Sequence, residues 1–136
     1  MANFFKLGNA STDTISGAKL LSTRTATASQ YSALGSPYQV GYAVTSGKTL
    51  YITSLVVVSE IANPFFWVGY ANVTSTETAS APAGITQLTG WLNVGPTAYL
   101  AKEYQLCIPI PTGKFPTVFS SSGAGVIAYT AVCIEV

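Results

Sequence analysis

The chain has 136 residues, enough for one domain whose core needs neither disulfide nor metal support. Apolar residues make up 49% of it and charged residues 8%, against an average of about 25%, so the composition is poorly suited to an isolated, well-solvated surface. The formal net charge is +1 and the six cations are scattered singly, which leaves no basic run for a phosphate backbone and excludes nucleic acid as an expected partner.

Residues 1–35 differ from the remainder. Between positions 11 and 30, Ser and Thr alternate with small residues, giving too little bulk for a core and too little charge for a typical disordered tail. The expected division is therefore an extended N-terminal arm over 1–35 and a β-sandwich domain over 36–136. Phe4, Phe5 and Leu7 at the tip of the arm are its expected anchors. The start, "MANFFKLGNAS", has no apolar stretch of the length a secretory signal needs, so synthesis in a host cytoplasm is expected.

From Tyr38 onward, short β-rich runs alternate with turn signals. "YQVGYAV" (38–44) ends at the turn "TSGK", and "TLYITSLVVVSE" (49–60) follows as the strongest strand. Taken as a regular strand, it places Leu50, Ile52, Val56 and Val58 on one side and Tyr51, Leu55 and Val57 on the other. Asn63-Pro64 breaks the chain before "FFWVGYANV" (65–73). There Phe65, Trp67, Gly69, Ala71 and Val73 alternate with Phe66, Val68, Tyr70 and Asn72, so one apolar face can enter the core while the other needs a cover.

Pro82 and Gly84 mark a loop, "GWLNV" (90–94) is a further short strand, and "AYLAKEYQLCIPI" (98–110) is strand-like, with 97–106 the one weak helical window. "TVFS" (117–120), the turn "SSGAG" and "VIAYTAVCIEV" (126–136) read as a closing hairpin. The most apolar stretch, 115–134, is interrupted by Pro116 and the Ser/Gly turn; it reads as strands and not as a membrane span. The expected fold is all-β: a single β-sandwich or jelly-roll-like domain with an extended arm.

Several strands are apolar on both sides, whereas a two-sheet sandwich buries only the inner face of each sheet. A second apolar face marks an association site. A neighbouring subunit is the expected cover for the second face of 65–73, with Phe4, Phe5, Leu7, Phe65, Phe66, Trp67 and Tyr70 as interface residues.

The chemistry of catalysis is thin. The chain contains no His, which removes the Ser-His and Cys-His nucleophilic arrangements and the commonest metal ligand. The five carboxylates are isolated, and Cys107 and Cys133 lie in apolar runs expected to hold buried, reduced thiols. "GYAVTSGKT" (41–49) has five residues between Gly41 and Gly47 where a phosphate-binding loop has four, and a strand follows in place of a helix. Neither catalytic residues, a metal nor a cofactor is expected.

"VTSGKTLYITSLVVVSE" (44–60) resembles a pattern of tailed-phage virion proteins, a Gly-Lys turn leading into a long strand. "IPIPTGKFPTVFSSSGAGVIAYTAVCIEV" (108–136) resembles their usual ending, and the resemblance spans roughly the last two-thirds of the chain. The family it implies is that of small β-sandwich head-decoration, or cement, proteins. That implies a structural, non-enzymatic role on the capsid surface of a virion, the major capsid protein and other copies of the chain as partners, and a homotrimer. The alternative is a virion binding module, a fibre tip or lectin-like domain for host glycans, in which Trp67, Tyr70, Trp91 and Tyr99 stack on sugar rings.

Overall fold

The computed structural model describes residues 17–25, 29–35, 41–74, 78–121 and 125–136. They carry nine strands: β1 (Ala18–Thr25), β2 (Gln30–Ala33), β3 (Leu50–Ser59), β4 (Phe65–Ala71), β5 (Thr86–Gln87), β6 (Leu92–Asn93), β7 (Leu100–Ile110), β8 (Phe115–Ser120) and β9 (Ile127–Glu135). The first sheet runs β1-β9-β3-β7 and the second β2-β8-β4-β5, with β6 also paired to β4. Every pairing is antiparallel. The protein is an all-β sandwich.

The pairing has a simple logic. β1 pairs with β9, β2 with β8, β3 with β7, and β4 with β5 and β6, so the chain forms one long set of nested hairpins. Rolling that set up brings β9 against β3 and β8 against β4. This is the arrangement of a jelly roll, which divides consecutive strands between two sheets. It also corrects the expected closing hairpin. β8 belongs to the second sheet and β9 to the first, so the turn between them is a crossover.

The core fills the space between the sheets. Leu50, Ile52, Leu55 and Val57 from β3 and Ile127, Tyr129, Ala131 and Cys133 from β9 face Phe66, Val68 and Val118 of the second sheet. Phe66 meets Tyr129 and Tyr104 edge-on, at ring-centroid distances of 5.5 and 5.7 Å, which ties the two sheets together with aromatic contacts.

The inward set of β3 differs from the strict alternation expected for it. A register shift between Ile52 and Ser54 inserts one residue, so Leu55 and Val57 continue the core face of Leu50 and Ile52, while Val56 and Val58 turn outward. Part of the apparent two-sidedness of this strand is the signature of that bulge. The weak helical window 97–106 falls largely on β7, where Tyr104, Leu106, Ile108 and Ile110 point inward at every second position and settle the strand period.

The expected arm is also shortened. Ala18–Thr25 pairs along its whole length with β9, and Gln30–Ala33 with β8, so residues in the second half of 1–35 belong to the sandwich. Leu21 and Leu34 enter the core, enough bulk to dock segments that look too polar to fold alone. Phe4, Phe5 and Leu7 lie outside the described residues, as do positions 38–40 of the expected strand 38–44. Within the rest of that run, Val44 is buried and exchanges backbone hydrogen bonds with Lys114 and Gly113.

Candidate interaction surfaces

The outer face of the first sheet mixes exposed apolar side chains with polar ones. Register places Arg24, Ala128, Val58 and Ala101 in one row across the four strands, Ser22, Thr130, Val56 and Glu103 in the next, and Leu20, Val132, Ser54 and Gln105 in a third. Leu20 is 60% exposed and Val132 45%, and Val58 is exposed as well. Within these rows the charged side chains are Arg24 on β1 and Glu103 on β7, at opposite edges of the sheet. Glu60 follows β3 just beyond its last residue. Ser54 Oγ and Gln105 Nε2 donate to Glu103 Oε1 at 3.0 and 2.6 Å, fixing that carboxylate in place.

The outer face of the second sheet is aromatic, and the chain covers much of it itself. Trp67 projects outward from β4 yet is 6% exposed. Tyr31 of β2 and Phe119 of β8 pack around it, with ring centroids 6.0 and 5.5 Å from the indole and 4.4 Å from each other. The segment after β5 closes the far edge of β4: Leu88 and Thr89 donate to the Val68 carbonyl, and Thr89 Oγ1 accepts from the Val68 N–H. The second face of 65–73 is thus covered in large part from within the same chain. The one-dimensional pattern could not show this, because Tyr31 and Phe119 are brought beside Trp67 by β2-β8-β4 pairing.

The expected interface residues of this strand therefore separate. Phe66 is fully buried between the sheets, which removes it as an external contact, and Tyr70 is partly buried, packed against the core from the same side. Phe65 remains 48% exposed at the end of β4. Trp91, which is 53% exposed, lies 6.0 Å from Phe119 and extends the aromatic cluster to the surface. Tyr99 is highly exposed but stands apart from this cluster just ahead of β7, at a φ of 59°.

One polar site lies at the edge of the core. Glu135, buried at the end of β9, accepts from Tyr42 Oη at 2.5 Å and from the Thr45 N–H at 2.6 Å, with Lys19 Nζ 3.9 Å away. Burial raises the carboxyl, but the two hydrogen bonds and the Lys19 charge outweigh it and hold it below the ordinary value. Tyr42 moves the other way, pushed up by burial and by its bond to Glu135. The arrangement clasps β1, β9 and the 41–49 segment together; it has no nucleophile. Among the described residues no group of three His, Cys, Asp or Glu is placed to hold a metal ion, and no helix is long and apolar enough to cross a membrane.

No protein-family model matches the chain, and no curated protein matches it. Among solved structures it is similar to a chain in the structure of infectious bursal disease virus Gx strain, at 15% identity and a TM-score of 0.32. That similarity covers 86% of this chain and 32% of the viral one, so this chain spans about a third of its length. A likeness of that size carries no argument about function.

Sequence reasoning missed Leu20, Tyr31 and Phe119 as surface-forming residues. The first two lie in the stretch assigned to the arm, and Phe119 in a four-residue run whose sheet partners lie far away in sequence. Cys107, expected to be buried, is exposed on the outward side of β7, while Cys133 is buried as expected, and no disulfide joins them.

Proposed function

We propose that this chain is a structural, non-enzymatic virion protein that decorates and stabilises a phage capsid, held there by contacts with the major capsid protein and by its N-terminal arm. The observation that carries this reading is that both sheets turn apolar residues outward on a chain with 8% charge: Leu20, Val58 and Val132 on one side, Phe65 and Trp91 on the other. A single domain with two apolar outer faces is suited to lie between neighbours. The resemblance of 44–60 and 108–136 to phage decoration proteins supports the same reading. So does the jelly roll itself, an architecture that recurs in viral capsid and lectin domains, although fold alone does not assign function.

On this reading the function is contact area. About 1,600 Å² of total buried surface suffices for a stable specific contact, and many copies on one shell add avidity. The arm that reaches a neighbour is the part of the chain ahead of β1, with Phe4, Phe5 and Leu7 as anchors.

The test is co-sedimentation of the full chain, and of a variant lacking residues 2–16, with capsids stripped of small surface proteins. Binding by the full chain, heat protection of the shell, and loss of both on deletion are the expected results. A full chain that leaves capsids unbound and unprotected overturns the reading.

A second reading, a virion module for host glycans, draws on Trp91, whose half-exposed indole beside Phe119 offers a face on which a sugar ring can stack. It predicts a change in tryptophan fluorescence on titration with oligosaccharides, unaffected by deletion of residues 2–16.

A further inference from the structure

We infer that the outer face of the β1-β9-β3-β7 sheet is a two-fold interface between two copies of this chain, in which Arg24 of each copy meets Glu103 of the other. The inference rests on the geometry of this face alone and stands whether or not the protein attaches to a shell. The apolar centre is made by Val58, Val56, Val132 and Leu20. Four strands spaced by about 4.8 Å and eight residues rising about 3.3 Å each give the whole face a projected area on the order of 500 Å². Polar and charged side chains share that face with the apolar centre, so the charges select the partner.

The charges choose the partner and the axis. Arg24 lies at the β1 edge and Glu103 at the β7 edge, with β9 and β3 between them. A two-fold axis parallel to the strands turns one copy over so that its β1 lies above β7 of the other and the apolar centres coincide. Arg24 then stands one row from Glu103 of the other copy, about 7 Å along the strand, a distance that an Arg side chain spans. The pair forms twice, as a closed two-fold contact requires. An axis across the strands would instead set Arg24 over Ala18 and leave both charges against uncharged neighbours.

Two further details fit. Among the described residues Arg24 has no ion-pair partner within its own chain. Both intramolecular bonds to Glu103 end on Oε1, which leaves Oε2 to meet a guanidinium. A contact of this symmetry closes at two copies, in place of the three-fold ring expected from the sequence.

Sedimentation equilibrium of the full chain tests it, with R24E, E103R and an equimolar mixture of the two. Wild type is expected to reach the mass of two chains. Each variant alone is expected to dissociate at least about tenfold more readily, because two attractions become two repulsions. The mixture is expected to recover wild-type affinity as a heterodimer, since each substituted position then faces an opposite charge. Recovery also shows that both variants are folded. A monomer at every concentration, a trimer, a dimer indifferent to both substitutions, or a mixture that fails to recover overturns the inference.

Discussion

Tyr42 Oη donates to Glu135 Oε2 at 2.5 Å, joining a loop residue to the last strand across 93 positions of sequence. The bond is part of why a carboxylate tolerates burial here: with the Thr45 N–H and the Lys19 ammonium, it offsets the cost of removing the charge from water. Because the folded carboxyl titrates below its ordinary value, it stabilises the fold fully above the unfolded value. That contribution is lost as pH falls through the folded one. Stability is therefore expected to hold near neutrality and to decline as pH drops below about 4.5, the ordinary value. Y42F is expected to lower stability by about 1–2 kcal/mol at neutral pH and by less in acid, where the carboxylate charge is lost. Urea unfolding of both proteins at neutral and acid pH measures this; an equal loss at both would show that Tyr42 does not act through the Glu135 charge.

Adjacent residues on β4 should behave as opposites. Phe66 is fully enclosed by Tyr104, Tyr129 and the core, whereas Phe65 is about half exposed. F66A is expected to cost about 3–5 kcal/mol, combining lost burial with the cavity left behind. F65A should change the stability of the isolated protein by about 0.5 kcal/mol or less, and its effect belongs in partner binding. Chemical denaturation of the two variants side by side decides it. Similar losses would mean that Phe65 is packed more closely than its exposure indicates.

The contrast also shows what a sequence can convey about this fold. Strand identity was readable wherever alternation and turn residues agreed, as in β3, β7 and β9, and that was enough for an all-β sandwich. Face assignment failed where one residue was inserted: the bulge after Ile52 sends Leu55 inward and Val56 outward, and nothing in "YITSLVVV" marks it. The polar strands β1 and β2 read as part of an extended arm because what holds them is β9 and β8, about a hundred residues further along the chain. The aromatic content of 65–73 was visible, but its cover, Tyr31 and Phe119, exists only once the second sheet is paired.

The two thiols offer a check on the sandwich. Cys133 points into the core, where burial pushes its thiol up to about 12, and Cys107 is exposed on the outward side of β7. Thiolate is the reactive form, so in dilute native protein near neutral pH a thiol reagent is expected to modify Cys107 alone. Cys133 should react only on unfolding, at a rate set by opening of the first sheet. Rapid modification of both residues in native protein would contradict the inward placement of β9.

Gly69 provides the most local test of how the second sheet is closed. A Cβ built there would lie 2.0 Å from the Thr86 carbonyl oxygen and 3.0 Å from the Trp67 ring. Gly69 is paired with Gln87, and Tyr70 with Thr86, so the obstruction is strand backbone and cannot swing aside as a side-chain tip would. G69A should therefore push β5 away from β4 and loosen the cover over Trp67, at a cost of about 1–3 kcal/mol. G113A is the control for added side-chain bulk, because nothing lies within 4 Å of a Cβ at that turn, and its positive φ confines the cost to local backbone strain. Tryptophan emission resolves the two. A red shift is expected in G69A, as water reaches the indole of Trp67, and none in G113A. An unshifted, fully stable G69A would mean that β5 does not hold the edge of β4 as described.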